Sequence, residues 1–269
     1  FCSAAPDGNL IATIGNAIWK STNAGLNWST VYHHDYSLQN VYVINNNKII
    51  IKAGSLSFLV STNGGANWQL KNSPTTTPYV NVSFNSLGEG MFANTDGDIL
   101  KITPDLNSVT SLIADSIRTV SDLEIAGNSK VYLIGDIRTI SSSTNNGTTF
   151  TKKSLPFNLT SISFVNQNTG YGVFYNVLLK TNNAASSWDT VYKTSDGSFL
   201  RNINFLNDNT GFMYKSYYTG EYSTDTLCFT TNGGTNWTST KISNYIRSFY
   251  EYEEYKTFYN LQLFANGTG

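Results

Sequence analysis

The side chains best suited to chemistry in this sequence are arginines and tyrosines. Three of its four arginines, Arg118, Arg201 and Arg247, fall on one position of a repeating unit, at the start of a strand pattern. The other copies carry Gln39, Val80 and Thr160 there. A guanidinium is a planar fork of donors that fits a carboxylate or a phosphate. The stretch from Tyr214 to Thr226 reads as one long loop and adds Tyr217, Tyr218 and Tyr222. A tyrosine offers a flat apolar face and a polar tip, suited to a peptide or a sugar. These six residues form the candidate ligand site, for an anionic group flanked by rings. A plainer role is open to each set: arginines bonding loop carbonyls at strand starts, and tyrosines packing on a neighbouring loop.

Other groups offer less. His33 and His34 sit beside Asp35 and Tyr36, but adjacent side chains of an extended segment point apart, so an ordinary loop is expected rather than a metal site. Asp122 and Glu124 lie on one strand pattern without an evident partner carboxylate. The run Glu251-Tyr252-Glu253-Glu254 reads as a solvated guard on a terminal strand edge. No glycine-rich phosphate loop, zinc spacing or Gly-x-Ser-x-Gly elbow occurs. The sequence therefore predicts no catalytic set, no metal and no cofactor.

What must position the candidate site is a phrase that keeps returning. It is clearest at Ser61-Thr62-Asn63-Gly64-Gly65-Ala66-Asn67-Trp68 and recurs from Ser21 to Trp28 and from Thr230 to Trp237. Weaker copies run from Ser143 to Phe150 and from Lys180 to Trp188, and a decayed one lies around Ile102 to Asn107. Asn bonds backbone amides nearby and tolerates a left-handed backbone, and Gly supplies positive φ freely. The closing aromatic anchors the returning strand. The phrase thus predicts a tied hairpin turn, with Asn23, Trp28, Asn63, Trp68, Asn145, Trp188, Asn232 and Trp237 as its anchors. All four tryptophans are expected to be mostly buried.

Around each turn lie short apolar runs of strand type, such as Lys48-Ile49-Ile50-Ile51, and no strong helical periodicity. The units run over about 9–33, 39–72, 79–114, 117–154, 160–193 and 201–243, within one domain spanning 1–269. The first holds three strand patterns and the others four. A strand from the C-terminus is expected to complete it, either Ile246–Glu251 or Leu261–Gly269.

The turn phrase resembles the Asp-box, Ser-x-Asp-x-Gly-x-x-Trp, of sialidase-type (BNR) β-propellers, with Asn in place of Asp. The longer unit from Ile162 to Gly172, repeated from Ile203 to Phe212, is similar to that of the photosystem II assembly-factor propellers and their secreted bacterial relatives. The resemblance covers nearly the whole chain. It implies an all-β, six-bladed propeller of four-stranded antiparallel blades, closed by pairing of the terminal strands. In such a fold the turn phrase marks the bottom face, so Arg118, Arg201, Arg247 and the tyrosines belong on the top. The resemblance implies a non-catalytic binding or scaffold protein that holds a protein segment or a glycan with an anionic group. The alternative is a sialidase-like or other glycoside hydrolase, for which Tyr250 and Glu251 would be a nucleophile pair. Against it, no Phe-Arg-Ile-Pro motif occurs and no arginine precedes Arg118.

Charged residues make up 13% of the chain, about half the usual share, and the net charge is −1. Neither nucleic acid nor an anionic membrane is indicated as a partner, and no apolar run reaches membrane-spanning length. A surface of Asn, Ser, Thr and Tyr points to an extracellular, cell-surface or periplasmic protein. Phe1 reads as a mature or trimmed end. Cys2 and Cys228, the only cysteines, are open to three states: bonded to each other, free, or, for Cys2, lipidated.

Overall fold

In a computed structural model the chain is all-β. The structure describes residues 1–72, 79–85, 87–94, 96–103, 107–112, 119–218 and 222–246. It contains six sheets of four antiparallel strands, each paired in chain order. The first holds β1 (Cys2–Ala4), β2 (Leu10–Ile14), β3 (Ala17–Ser21) and β4 (Ser29–His33). The second holds β5 (Leu38–Val43), β6 (Ile49–Ala53), β7 (Ser57–Ser61) and β8 (Gln69–Asn72). The third holds β9 (Tyr79–Phe84), β10 (Gly90–Asn94), β11 (Ile99–Ile102) and β12 (Val109–Leu112). The fourth holds β13 (Val120–Ala126), β14 (Lys130–Gly135), β15 (Thr139–Ser143) and β16 (Thr151–Ser154). The fifth holds β17 (Ser161–Phe164), β18 (Gly170–Phe174), β19 (Val177–Thr181) and β20 (Asp189–Lys193). The sixth holds β21 (Phe199–Phe205), β22 (Gly211–Tyr218), β23 (Tyr222–Thr230) and β24 (Thr238–Ile246). Six such sheets are the blades of a six-bladed β-propeller.

The described residues fall into two compact units, residues 1–128 and residues from Ser129 on. In the first, Ile11, Ile18, Val41, Ile49, Ile51 and Leu59 form one buried cluster, and Tyr42, Ile50, Phe58, Phe92, Leu100 and Ile102 form another. In the second, Tyr171, Leu178, Ile203, Phe205 and Met213 pack together. The inner strands carry most of the buried residues; every residue of β10 is buried. The fourth strands are largely exposed, and β16 carries Lys152 and Lys153, the polar dressing that keeps an outer strand from pairing with a foreign one.

Five turns share one hydrogen-bond network. The hydroxyl of Ser21, Ser61, Ser143, Thr181 or Thr230 donates to the Oδ1 of the Asn two residues on, at 2.8–3.1 Å. It also accepts from the amide four residues on. The Asn Oδ1 in turn accepts from the amide four residues beyond itself. The two residues after each Asn are left-handed: Ala24 and Gly25, Gly64 and Gly65, Asn146 and Gly147, Ala184 and Ala185, Gly233 and Gly234. Of the sixth, decayed copy, residues 104–106 lie outside the described residues. The Thr103 hydroxyl there bonds both the amide and the carbonyl of Ser108.

Three expectations need correction. First, the first sheet lacks no strand. Cys2–Ala4 pairs with β2, with Cys2 opposite Ala12, in the place reserved for a C-terminal strand. Three residues are too few to show a period, so the sequence hid it. Both C-terminal candidates for closure lie outside the described residues apart from Ile246, which pairs with Tyr222 in the sixth sheet. Second, Tyr214–Tyr218 and Tyr222–Thr226 are strand rather than loop. β22, β23 and β24 run to 8, 9 and 9 residues, against 3 to 7 elsewhere, and Tyr217 and Tyr218 pair with Thr224 and Ser223. Third, the tryptophans are half-buried at Trp68, Trp188 and Trp237, and Trp28 is exposed. The Trp28 and Trp237 indole N–H groups donate to the Gly25 and Gly234 carbonyls of their own turns, at 3.0 and 2.9 Å. Of the states left open for the two cysteines, no disulfide joins them. Cys2 is exposed and Cys228 is buried in the core of the second unit. Burial raises the pKa of both thiols.

Candidate functional site

Within each sheet the recurring turn joins the third and fourth strands. The turn between the second and third strands therefore lies at the opposite end, with the start of the first strand. In the second unit that end of the fifth and sixth sheets carries a run of aromatic side chains.

Arg201 lies near the start of β21, just before a register shift between Arg201 and Asn204. Asn202, inside that irregularity, is left-handed at φ 46. The Arg201 guanidinium carbon stands 5.5 Å from the centroid of the Tyr218 ring. A cation over a ring face is held by the ring quadrupole, by about 0.5–1 kcal/mol where exposed. Arg201 is exposed, and among the described residues it forms no ion pair.

Tyr218 is one end of a continuous row. Its ring lies 6.3 Å from Phe199, which lies 6.2 Å from Tyr175. Tyr175 meets Phe174 edge-on at 4.7 Å, and Phe174 lies 6.0 Å from Phe157. Tyr175 is 60% exposed, Tyr217 43%, and Phe199 and Tyr218 39% each. Such a cluster of exposed large rings on one end of a protein marks an interaction surface more often than a monomer's ordinary exterior.

Tyr175 is the least expected member. It forms the β18–β19 turn at φ 52. Its carbonyl accepts from the Leu200 amide at 2.7 Å. In the first sheet the same bond runs from Leu38 to Gly15, which is left-handed at φ 61. A tyrosine thus occupies a turn position that a glycine fills elsewhere. A bulky residue in the left-handed region is strained, and such strain clusters where function requires a particular side chain. Arg138 fills the corresponding place in the fourth sheet, at φ 52 with its carbonyl bonded by Leu155, and is exposed.

Of the six expected site residues, the structure brings together Arg201 and Tyr218; Tyr217, the preceding residue of β22, points to the opposite face. Tyr222 opens β23 opposite Ile246. Arg118 and Arg247 lie outside the described residues. Sequence reading missed Tyr175, Phe199, Phe157 and Arg138. The one available signal was the missing glycine in the turns at Arg138 and Tyr175.

The first unit offers two further features. A small apolar pocket is lined by Tyr42, Phe58, Tyr79, Val82 and Phe92 together with Lys52. The Lys52 ammonium donates to the Tyr79 carbonyl at 2.9 Å, and burial pulls its pKa down. On β13, burial and then the nearby Asp122 charge hold the Glu124 carboxyl well above the usual carboxylate range. His34 lies between Tyr32 and Tyr36, at 6.4 and 5.7 Å, while His33 is exposed, and no three metal-ligating side chains cluster among the described residues. No helix among them is long and apolar enough to cross a membrane.

No protein-family model matches the chain, and no curated protein matches it. Solved structures do. YCF48 from Cyanidioschyzon merolae superposes with a TM-score of 0.67 at 13% identity, over 89% of this chain and 83% of that one. A structure of YCF48 bound to a D1 peptide gives 0.65 at 13% identity, over 89% and 79%. The GH74 enzyme of Niastella koreensis gives 0.60 at 13% identity, over 88% of this chain and 49% of that one. At these identities the likeness is one of fold.

Proposed function

We propose that this chain is a binding propeller, without catalysis of its own, that holds a segment of another protein at the exposed end of the fifth and sixth sheets. The observation that carries the reading is the aromatic row from Phe157 to Tyr218, ending on Arg201. Rings supply contact area at little entropic cost, and the free guanidinium takes an anionic group of the segment, an Asp, a Glu or a terminal carboxylate. Strain at Tyr175 fits a position kept for contact rather than for the turn. The peptide-bound YCF48 structure supports the choice of a protein segment over a glycan. Arg118, Arg247 and Tyr222 are kept as further candidate ligand residues. The proposal further takes the chain as one domain of Asp-box repeats, located outside the cell or on its surface, with no nucleic-acid partner.

The test is panning of a random dodecapeptide display library on the purified protein. The enriched peptides should pair an acidic group with aromatic or proline residues. Tyr175→Ala and Arg201→Gln should each weaken them at least tenfold with unchanged melting temperature. Enriched peptides indifferent to both substitutions would remove this surface from the reading.

Glycoside hydrolysis is a second reading, favoured by one observation: beside Asp122, a Glu124 carboxyl whose pKa is raised by burial and by that charge has the character of a general acid. Turnover of fluorogenic glycosides, lost in Glu124→Gln, would establish it. A panel without turnover would end it.

A further inference from the structure

The aromatic row has two ends, and each carries an arginine. Arg201 closes one over Tyr218. At the other, Arg138 is tied to the segment that carries Phe157. Its amide donates to the Asn158 side-chain oxygen at 2.8 Å, and its carbonyl accepts from the Leu155 amide at 2.7 Å. Both arginines are exposed, and neither forms an ion pair among the described residues. The described acids of this end are occupied: Asp136 by Lys152, Asp196 by Lys215 at 2.9 Å, and Asp225 by the Ser216 hydroxyl at 2.6 Å. Positive charge is thus left over at both ends of the row, with rings between.

Arg138 is left-handed at φ 52, and Tyr175, in the corresponding turn of the next sheet, has the same angle. A glycine would carry no strain there, and the first sheet has one, Gly15. Arg138 and Tyr175 are thus strained for reasons their turns do not supply, and backbone strain of this kind concentrates at ligand contacts. Two such residues in neighbouring sheets, joined by the row through Phe157 and Phe174, belong to one contact surface.

The rings also set a length. Their four steps from Phe157 to Tyr218 are 6.0, 4.7, 6.2 and 6.3 Å, so the row is at most about 23 Å long. An extended chain advances about 3.3 Å per residue and covers that span in about seven residues. Given that this surface is the peptide site, we infer that the bound segment is an extended stretch with two acidic groups up to about seven residues apart, one on Arg138 and one on Arg201. Apolar side chains between the acids lie on the rings. Once one acid is held, the second contact is intramolecular, so the pair binds far more tightly than either acid alone.

The experiment is isothermal titration calorimetry of the whole chain with two acetylated, amidated peptides of equal composition. Glu-Pro-Tyr-Pro-Tyr-Pro-Tyr-Glu holds its acids apart, and Glu-Glu-Pro-Tyr-Pro-Tyr-Pro-Tyr holds them together. The first is expected to bind at least about tenfold more tightly than its isomer. Replacing either of its glutamates with glutamine should weaken it at least about fivefold. In Arg138→Gln one of these replacements should become silent, and in Arg201→Gln the other. Lys193→Gln removes an exposed cation from the outer strand of the fifth sheet and should leave this pattern unchanged. Equal binding of the two isomers by the unaltered protein would overturn the inference, with no variant needed, and so would absence of binding by both. It would equally fall if both replacements still weakened binding to Arg138→Gln, or if the pattern were lost in Lys193→Gln. Library peptides that depend on Tyr175 and Arg201 but not on Arg138 would leave the peptide site standing and end the two-acid pattern, so the two readings fail separately.

Discussion

The Tyr171 ring lies flat on the Phe205 ring, centroids 3.5 Å apart and planes 5° from parallel, and its hydroxyl donates to the Asp208 carbonyl at 2.8 Å. The fifth sheet is thereby joined to the sixth twice, by a stack and by a hydrogen bond. The fourth and fifth sheets repeat the device: Tyr132 stacks on Phe164 at 3.7 Å and donates to the Gln167 carbonyl at 2.8 Å. In each pair the phenylalanine ends a first strand, and the carbonyl belongs to the turn that follows it.

Tyr171→Phe keeps the stack and removes the hydroxyl. The Asp208 carbonyl then loses its partner in a partly buried place. Urea unfolding should show a loss of about 1–2 kcal/mol. Tyr171→Leu also removes the ring contact, and should cost at least about 1 kcal/mol more. Equal losses from the two substitutions would mean that the stack contributes nothing.

The same phenylalanines explain two glycines. A methyl placed on Gly170 would lie 2.4–2.7 Å from carbons of the Phe164 ring, and one on Gly211 would lie 2.6–2.8 Å from the Phe205 ring. Neither glycine is left-handed, so the requirement is for space rather than for backbone freedom. Phe164 cannot retreat, because Tyr132 covers it. Gly170→Ala should therefore destabilise by about 1–3 kcal/mol. Adding Phe164→Leu should recover part of that loss, a coupling visible in a double-mutant cycle.

How far the fold was legible follows from how local each feature is. The recurring turn closes its whole hydrogen-bond network within seven residues, so the types at Ser61, Asn63 and Gly65 were enough to announce it. Five such turns gave the number and spacing of most sheets. The strand at Cys2–Ala4 gave no pattern, and a polar, tyrosine-rich run hid the long β22–β23 hairpin. The aromatic row was illegible for another reason. Phe157, Tyr175, Phe199 and Tyr218 are scattered over some sixty residues of sequence, and only the packing of two sheets sets them side by side.

The turn at Ala184 and Ala185 offers a direct test of backbone strain. Both alanines are left-handed, at φ 58 and 63, where the clearest copies have two glycines. An L-residue pays about 1–2 kcal/mol in that region, while glycine costs about 0.4–1 kcal/mol through the unfolded chain. Ala184→Gly should therefore stabilise by roughly 0.5–1 kcal/mol, read as a rise in Tm. Gly64→Ala should do the reverse and by more, since its new methyl would also lie 2.9 Å from the Asn46 carbonyl oxygen.

Glu124 makes the stability of the protein depend on pH in a predictable direction. Its folded-state pKa is raised above the ordinary value of 4.5, chiefly by burial. At acid pH the carboxyl is protonated in both folded and unfolded chains, so it costs nothing. As pH climbs past 4.5, the unfolded chain releases the proton first, and the folded state is progressively disfavoured until its own carboxyl ionises. Glu124→Gln removes this penalty. The variant should melt at higher temperature than the parent at pH 7, and the advantage should shrink to nothing below about pH 4. Asp196 works in the opposite sense. The Lys215 hydrogen bond, at 2.9 Å, is the main cause of its depressed pKa of about 2. Its contribution is therefore present at neutral pH and lost as pH falls through that value, and it is small because the carboxylate is half exposed. Melting curves of parent, Glu124→Gln and Asp196→Asn from pH 2 to 8 separate the two. A Glu124→Gln advantage that persisted undiminished at pH 3 would show that the gain comes from packing, and that burial of the charge is not what raises the Glu124 pKa.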